Sequence, residues 1–130
     1  MTELVWVSRQ ALVLLHAESI ADHGGLPGLR DAGLLDSALA RPLNLHAYEN
    51  VSEIAALAAC YGVALARNHP FNDGNKRAGF VAALLFAALN GLRVEADQAD
   101  AALVMLGVAE GSLGQAEFAA WIRLHGHKQP

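Results

Sequence analysis

The chain has 130 residues, of which 54% are hydrophobic and 17% charged, with a formal net charge of -4. That length fits one domain with a real core and is too short for two, and the composition excludes disorder. The acidic balance gives no general footprint for binding DNA or RNA, so no direct nucleic-acid partner is expected.

A single cysteine, Cys60, cannot form an internal disulfide or a cysteine-based zinc site. No apolar run reaches the roughly 18 to 20 residues of a membrane span; the best, residues 80–89, ends at Asn90-Gly91. The start, Met1-Thr2-Glu3-Leu4, lacks the basic and apolar regions of a signal peptide. Residence in the cytoplasm, away from membranes, is the expectation.

Glycine, proline and asparagine divide the sequence into about six helical blocks. The first opens at Ser8, an N-cap, and runs through Leu12, Leu15, His16 and Ile20 to Gly24-Gly25, which suit a helix C-terminus. A turn at Leu26-Pro27-Gly28 follows. Asp31 then caps a short second helix carrying Leu34, Leu35 and Leu39, which is expected to stop near Arg41-Pro42. Residues 41–50, with Pro42, Asn44, His46 and Asn50, read as a polar connector. The third helix starts near Ser52 and places Ile54, Leu57, Ala58, Tyr61 and Leu65 at helical spacing. Residues 55–66 contain no charge, so this helix should be buried. It must end before Pro70, which disfavours helical geometry at His69.

A fourth, nearly uncharged helix begins at about Asn75 and reaches Asn90-Gly91. Asp97 or Asp100 starts a fifth ending at Glu110-Gly111, and residues 115–125 form the last. Short extended pieces at residues 4–7 and 92–95 are too few for a sheet. The fold class is therefore all-α: one compact domain over residues 1–130, with two central buried helices joined by a chemically loaded loop.

That loop is His69-Pro70-Phe71-Asn72-Asp73-Gly74-Asn75-Lys76-Arg77. Gly74 allows close approach of a ligand, and the helix that follows directs unpaired N–H groups and its positive dipole end at the loop. Lys76 and Arg77 place cations where they oppose that dipole, a choice that makes local sense only beside an anion. Asp73, four residues after His69, reads as a carboxylate for Mg²⁺ held together with nucleotide phosphates, or as a helix N-cap. His69 suits a general base near neutral pH. Phe71 reads as the apolar anchor that pins the loop to the core. His16 and Cys60 read as packing residues, and His23, His46, His125 and His127 as surface residues.

The loop resembles the Fic signature: His, any residue, Phe, any residue, Asp or Glu, Gly, Asn, Gly, Arg, two residues, Arg. His69, Phe71, Asp73, Gly74, Asn75 and Arg77 match it in place. Lys76 stands at its second Gly and Phe80 at its final Arg, departures that are those of the Doc (death on curing) branch, whose loops end in Asn-Lys-Arg. Leu15-His16, residues 24–28, 35–41, 89–91 and 107–111 are also similar to Doc-type sequence.

The resemblance implies a Fic/Doc-type helical domain acting as the toxin of a toxin–antitoxin module. Doc-type toxins are kinases that transfer phosphate from ATP to a threonine of elongation factor Tu and halt translation. On that reading His69 takes the threonine proton and Asp73 holds Mg²⁺ or helps orient His69. The backbone N–H groups around Gly74 and Asn75, with Lys76 and Arg77, neutralise the phosphates, with Arg67 reaching the same site. ATP and Mg²⁺ are the implied cofactors. The implied partners are elongation factor Tu and an antitoxin whose C-terminal tail folds on binding. No serine, nor Thr2, begins the self-inhibitory pattern of Ser or Thr followed four residues later by Glu and then Gly or Asn. Inhibition in trans is therefore expected. The alternatives are Fic-type AMP transfer to a protein hydroxyl and a catalytically lapsed binding module; a nuclease is disfavoured by the acidic balance.

Overall fold

A computed structural model describes residues 3–129; the signal-peptide and self-inhibition readings that involve Met1 and Thr2 lie partly outside it. Among the described residues the order is α1 (Arg9–His23), α2 (Ala32–Glu49), α3 (Ile54–Asn68), α4 (Asn75–Leu89), β1 (Leu92–Val94), α5 (Gln98–Glu110), α6 (Gln115–His125) and β2 (Gly126–Lys128). The six helices bear out the all-α class. No described helix is long and apolar enough to cross a membrane.

Three of the helix starts are set by side chains that the sequence marks. Ser8 accepts from the Ala11 N–H, Asp31 from Leu34 and Asp97 from Asp100, each satisfying one of the donors a helix N-terminus leaves open. The second helix departs from expectation. It does not stop at Pro42 but runs through it to Glu49, so the polar connector of residues 41–50 does not exist. Proline removes one helical N–H, but here its ring is fully buried and packed in the core. The helix ends instead at Asn50, in the left-handed conformation, with its N–H on the Leu45 carbonyl.

The core is one cluster centred on α3, in which every residue from Ala55 to Ala66 except Ala56 is buried. Helix α4 crosses it with unusually close backbones. A methyl group added to Gly79 would sit 2.7 Å from the Gly62 carbonyl oxygen, and one on Gly62 would sit 2.5 Å from the Phe118 ring. Two glycines at facing positions bring the helices together and so fix the two ends of the intervening loop.

A small sheet also forms, against expectation. Leu92–Val94 is extended, as read, but pairs antiparallel with Gly126–Lys128, with Leu92 opposite Lys128 and Val94 opposite Gly126. The first extended piece, residues 4–7, joins no strand. The Asn90 side chain clamps it, accepting from the Val5 N–H and donating to the Val5 carbonyl, both at 2.8 Å.

Candidate active site

The α3–α4 loop is closed by its own residues. Helix α3 ends at His69, which takes the left-handed conformation with φ 52°. Phe71 is buried, 2% exposed, and anchors the loop as its place in the sequence suggests. Asn75 is buried too, and its amide pairs with the main chain of Phe71: Oδ1 accepts from the N–H and Nδ2 donates to the carbonyl, both at 3.0 Å. These two bonds fix the orientation of the amide and direct Nδ2 at His69 Nδ1, 3.4 Å away. That contact is too long to fix the ring's tautomer. It does place the Nδ1 edge of the imidazole beside Asn75.

The segment joining α1 to α2 forms the wall opposite. Leu29 and Phe71 make an isolated antiparallel bridge. The Asn72 N–H donates to the Gly28 carbonyl and the Asn72 amide to Pro27, each at 3.0 Å. Asp73 answers from the loop: Oδ2 accepts from the Leu26 N–H at 3.2 Å and Oδ1 from Gly74 at 2.9 Å. Those N–H groups, with smaller contributions from Arg77 and His16, hold its carboxyl below the usual carboxylate range. The carboxylate is exposed and ionised at neutral pH. Gly25 has to be glycine, since a Cβ there would lie 2.9 Å from Asp73 Oδ2, with φ at +117°.

Helix α4 begins at Gly74, which has φ 74° and offers no side-chain cap. In contrast to α1, α2 and α5, its first N–H groups face the loop without a capping side chain. A helix N-terminus of that kind suits an anion. Lys76 lies exposed on this first turn. Arg77 beside it is tied to α1, with Nη1 donating to the carbonyl and hydroxyl of Ser19 at 3.3 and 3.1 Å.

The structure thus brings His69, Phe71, Asp73, Gly74 and Asn75 into one closed loop with Lys76 and Arg77 on the next turn. Arg67 is placed elsewhere. Its Nε and Nη2 donate to the carbonyls of Val108 and Leu113, at 3.1 and 3.0 Å, and so brace α5 and the turn before α6. Asn75 serves the site by closing the loop, its side chain being spent on Phe71. Nor is Asp73 the N-cap residue, since Gly74 holds that position.

His16 carries more than packing. Its buried ring stacks on Phe71, centroids 3.7 Å apart and planes within 10°, while Nε2 donates to the Asp73 carbonyl. The sequence offered a histidine on the apolar face of an amphipathic helix and a Leu15-His16 pair similar to Doc-type sequence, and neither points by itself to a loop 57 residues away. Arg30, whose guanidinium meets the Asn68 and His69 carbonyls, gave no sequence signal at all.

A mobile substrate metal would find one ionised carboxylate here. Among the described residues no three His, Cys, Asp or Glu side chains converge as a metal cluster. A lone exposed Asp73 fits Mg²⁺ that arrives with phosphates and keeps most of its ligands from them, not a resident ion.

The chain belongs to the Fic/DOC family, whose profile matches residues 6–87. Within it, the chain is similar to Doc toxins. It is 37% identical over 117 residues to the protein kinase doc of Escherichia phage P1, covering 90% of this chain and 92% of that protein. It is 42% identical over 85 residues to the toxin Doc of Mycolicibacterium smegmatis, covering 65% of each.

Proposed function

We propose that this protein is the toxin of a toxin–antitoxin module and acts as a kinase, moving the γ-phosphoryl group of ATP to a threonine hydroxyl of elongation factor Tu in the cytoplasm. The observation that carries the reading is the loop itself. A histidine held at a helix C-terminus faces a helix N-terminus that has no side-chain cap and bears an exposed lysine, with an ionised aspartate between them. The phage P1 relative, named a protein kinase, supports the same chemistry.

His69 accepts the hydroxyl proton as the hydroxyl oxygen attacks the γ-phosphorus, and ADP leaves with the electrons of the broken P–O bond. The first-turn N–H groups of α4 and Lys76 offset phosphate charge, which is the larger part of what phosphoryl transfer requires. Asp73 is the residue that would hold Mg²⁺, whose contribution is charge neutralisation on the nucleotide. Phe80 in place of a second arginine, and Lys76 in place of a second glycine, favour this over AMP transfer by removing one phosphate clamp and filling space. An antitoxin tail that folds along the toxin is the expected regulator.

The test is mass spectrometry of elongation factor Tu after incubation with the protein, ATP and Mg²⁺, beside His69→Ala. A gain of one phosphate that the variant does not produce supports the reading. An added AMP moves the function to nucleotidyl transfer, and no change removes this target.

A further inference from the structure

Helix α3 ends in a way that calls for outside support. The last carbonyls of a helix have no partner within it, and the left-handed position that follows is held by a histidine, φ 52° and ψ 54°, where glycine is the easy choice. Such a conformation persists in a residue with a side chain only when the surroundings impose it.

Arg30 supplies that support. Its Nε donates to the His69 carbonyl at 2.7 Å and its Nη2 to the Asn68 carbonyl at 3.1 Å. Its main-chain N–H and that of Asp31 both donate to the Pro70 carbonyl, at 2.8 and 3.0 Å. Three successive carbonyls, those of residues 68, 69 and 70, are thereby tied to one short stretch before α2. A guanidinium at this spot also suits the negative end of the α3 dipole. Asn75 meets the same histidine through its ring nitrogen Nδ1.

The geometry points to Arg30 as a positioning residue for the transfer reaction: it holds the His69 main chain in the left-handed conformation from which the imidazole projects toward the reacting hydroxyl. The inference rests on His69 as the base of the proposed kinase. Arg30 does not touch the reacting atoms in this role and acts through His69. The role needs a planar fork, because two N–H groups must meet two successive carbonyls at once; lysine offers a single point on a flexible stem. Part of this junction is made without the guanidinium. Asp31 caps α2 with its own carboxylate, and the bonds to Pro70 come from main-chain groups that any side chain leaves in place.

The experiment compares the full chain with Arg30→Lys and Arg30→Ala by two readouts. The first, independent of activity, is the set of main-chain ¹³C chemical shifts of His69, which report its φ and ψ. The second is steady-state phosphoryl transfer to elongation factor Tu. Arg30→Ala is expected to move the His69 shifts away from left-handed values and to lower kcat on the order of 10- to 100-fold. KM for ATP is expected to stay within about twofold, and Arg30→Lys to recover only part of the loss. A simple structural role would lower the melting temperature and leave that split absent. Unchanged His69 shifts in both variants overturn the inference, as do moved shifts with unchanged kcat. If the wild-type protein transfers no phosphate, the proposed function fails, and the His69 shifts alone decide whether Arg30 sets the backbone.

Discussion

His16 Nε2 lies 2.7 Å from the main-chain carbonyl oxygen of Asp73 and donates to it from the middle of α1. Because a carbonyl can only accept, the proton must sit on Nε2, which fixes how the ring is used. The same ring covers Phe71 and lies 3.5 Å from where a Cβ of Gly74 would stand, so one buried histidine shapes three residues of the loop.

Replacing His16 by alanine therefore removes a stacked ring and leaves the Asp73 carbonyl short of a partner. The expected loss is about 2 to 4 kcal/mol of folding stability. Urea denaturation of wild type, His16→Ala and His16→Gln measures it. The glutamine variant, which keeps an N–H donor on a side chain of similar reach, should recover part. Identical midpoints for all three would mean that α1 does not hold the loop.

The position of the Asp73 carboxylate makes a second expectation. Its pKa lies below the ordinary 3.8, first through the Leu26 N–H and then through Gly74. A depressed value in the folded state means that these bonds stabilise fully above the unfolded value and are lost as pH falls through the folded one. Their contribution is therefore intact at neutral pH and fades only in acid. Gly25→Ala, whose Cβ would crowd Oδ2, should displace the carboxylate from Leu26 and raise the pKa toward 3.8. A ¹³C titration of the Asp73 carboxyl in both proteins decides the matter; an unmoved pKa would sever the link between Gly25 and the loop.

Much of this was legible beforehand, for local reasons. Ser8, Asp31 and Asp97 announce helix starts because a cap acts over three residues. The loop from His69 to Arg77 reads as a candidate site because a charged, glycine-bearing connector between two apolar helices has no packing reason to exist. What was not legible depends on partners distant in sequence. Pro42 reads as a stop until its burial against the core is known. The 126–128 strand exists only because Leu92–Val94 lies beside it. The sequence placed Arg67 at the site and gave Arg30 no role, yet Arg67 braces α5 and Arg30 grips the end of α3. Long flexible cations can reach in many directions, and only the fold selects one.

Cys60 gives a prediction at the alkaline end. Burial is the main cause that pushes its thiol from 9.0 up to about 11. Between those values the unfolded chain has lost a proton that the folded chain keeps, so stability falls as pH rises across the window. The loss attributable to this group is about 2 to 3 kcal/mol. Denaturation midpoints of wild type and Cys60→Ala, compared at about pH 8 and about pH 10.5, isolate it. The variant should gain on the wild type at the higher pH. A constant difference between the two proteins at both values would show that the thiol titrates normally in the fold.

The crossing of α3 and α4 gives the last expectation. Gly79 faces the Gly62 carbonyl so closely that a methyl group would come within 2.7 Å of a main-chain atom, and a backbone cannot step aside as a flexible side chain can. Gly79→Ala must push the helices apart, at a cost of about 3 kcal/mol, the upper part of the usual range for overpacking. Because His69 ends one of these helices and Asn75 begins the other, separation also strains the Asn75 bonds to Phe71 and the approach of its amide to His69. Activity should consequently fall more than the folded fraction does. The check is kcat per folded molecule beside the denaturation free energy. Loss of stability with full activity per folded molecule would show that the helix crossing supports the fold without setting the geometry of the loop.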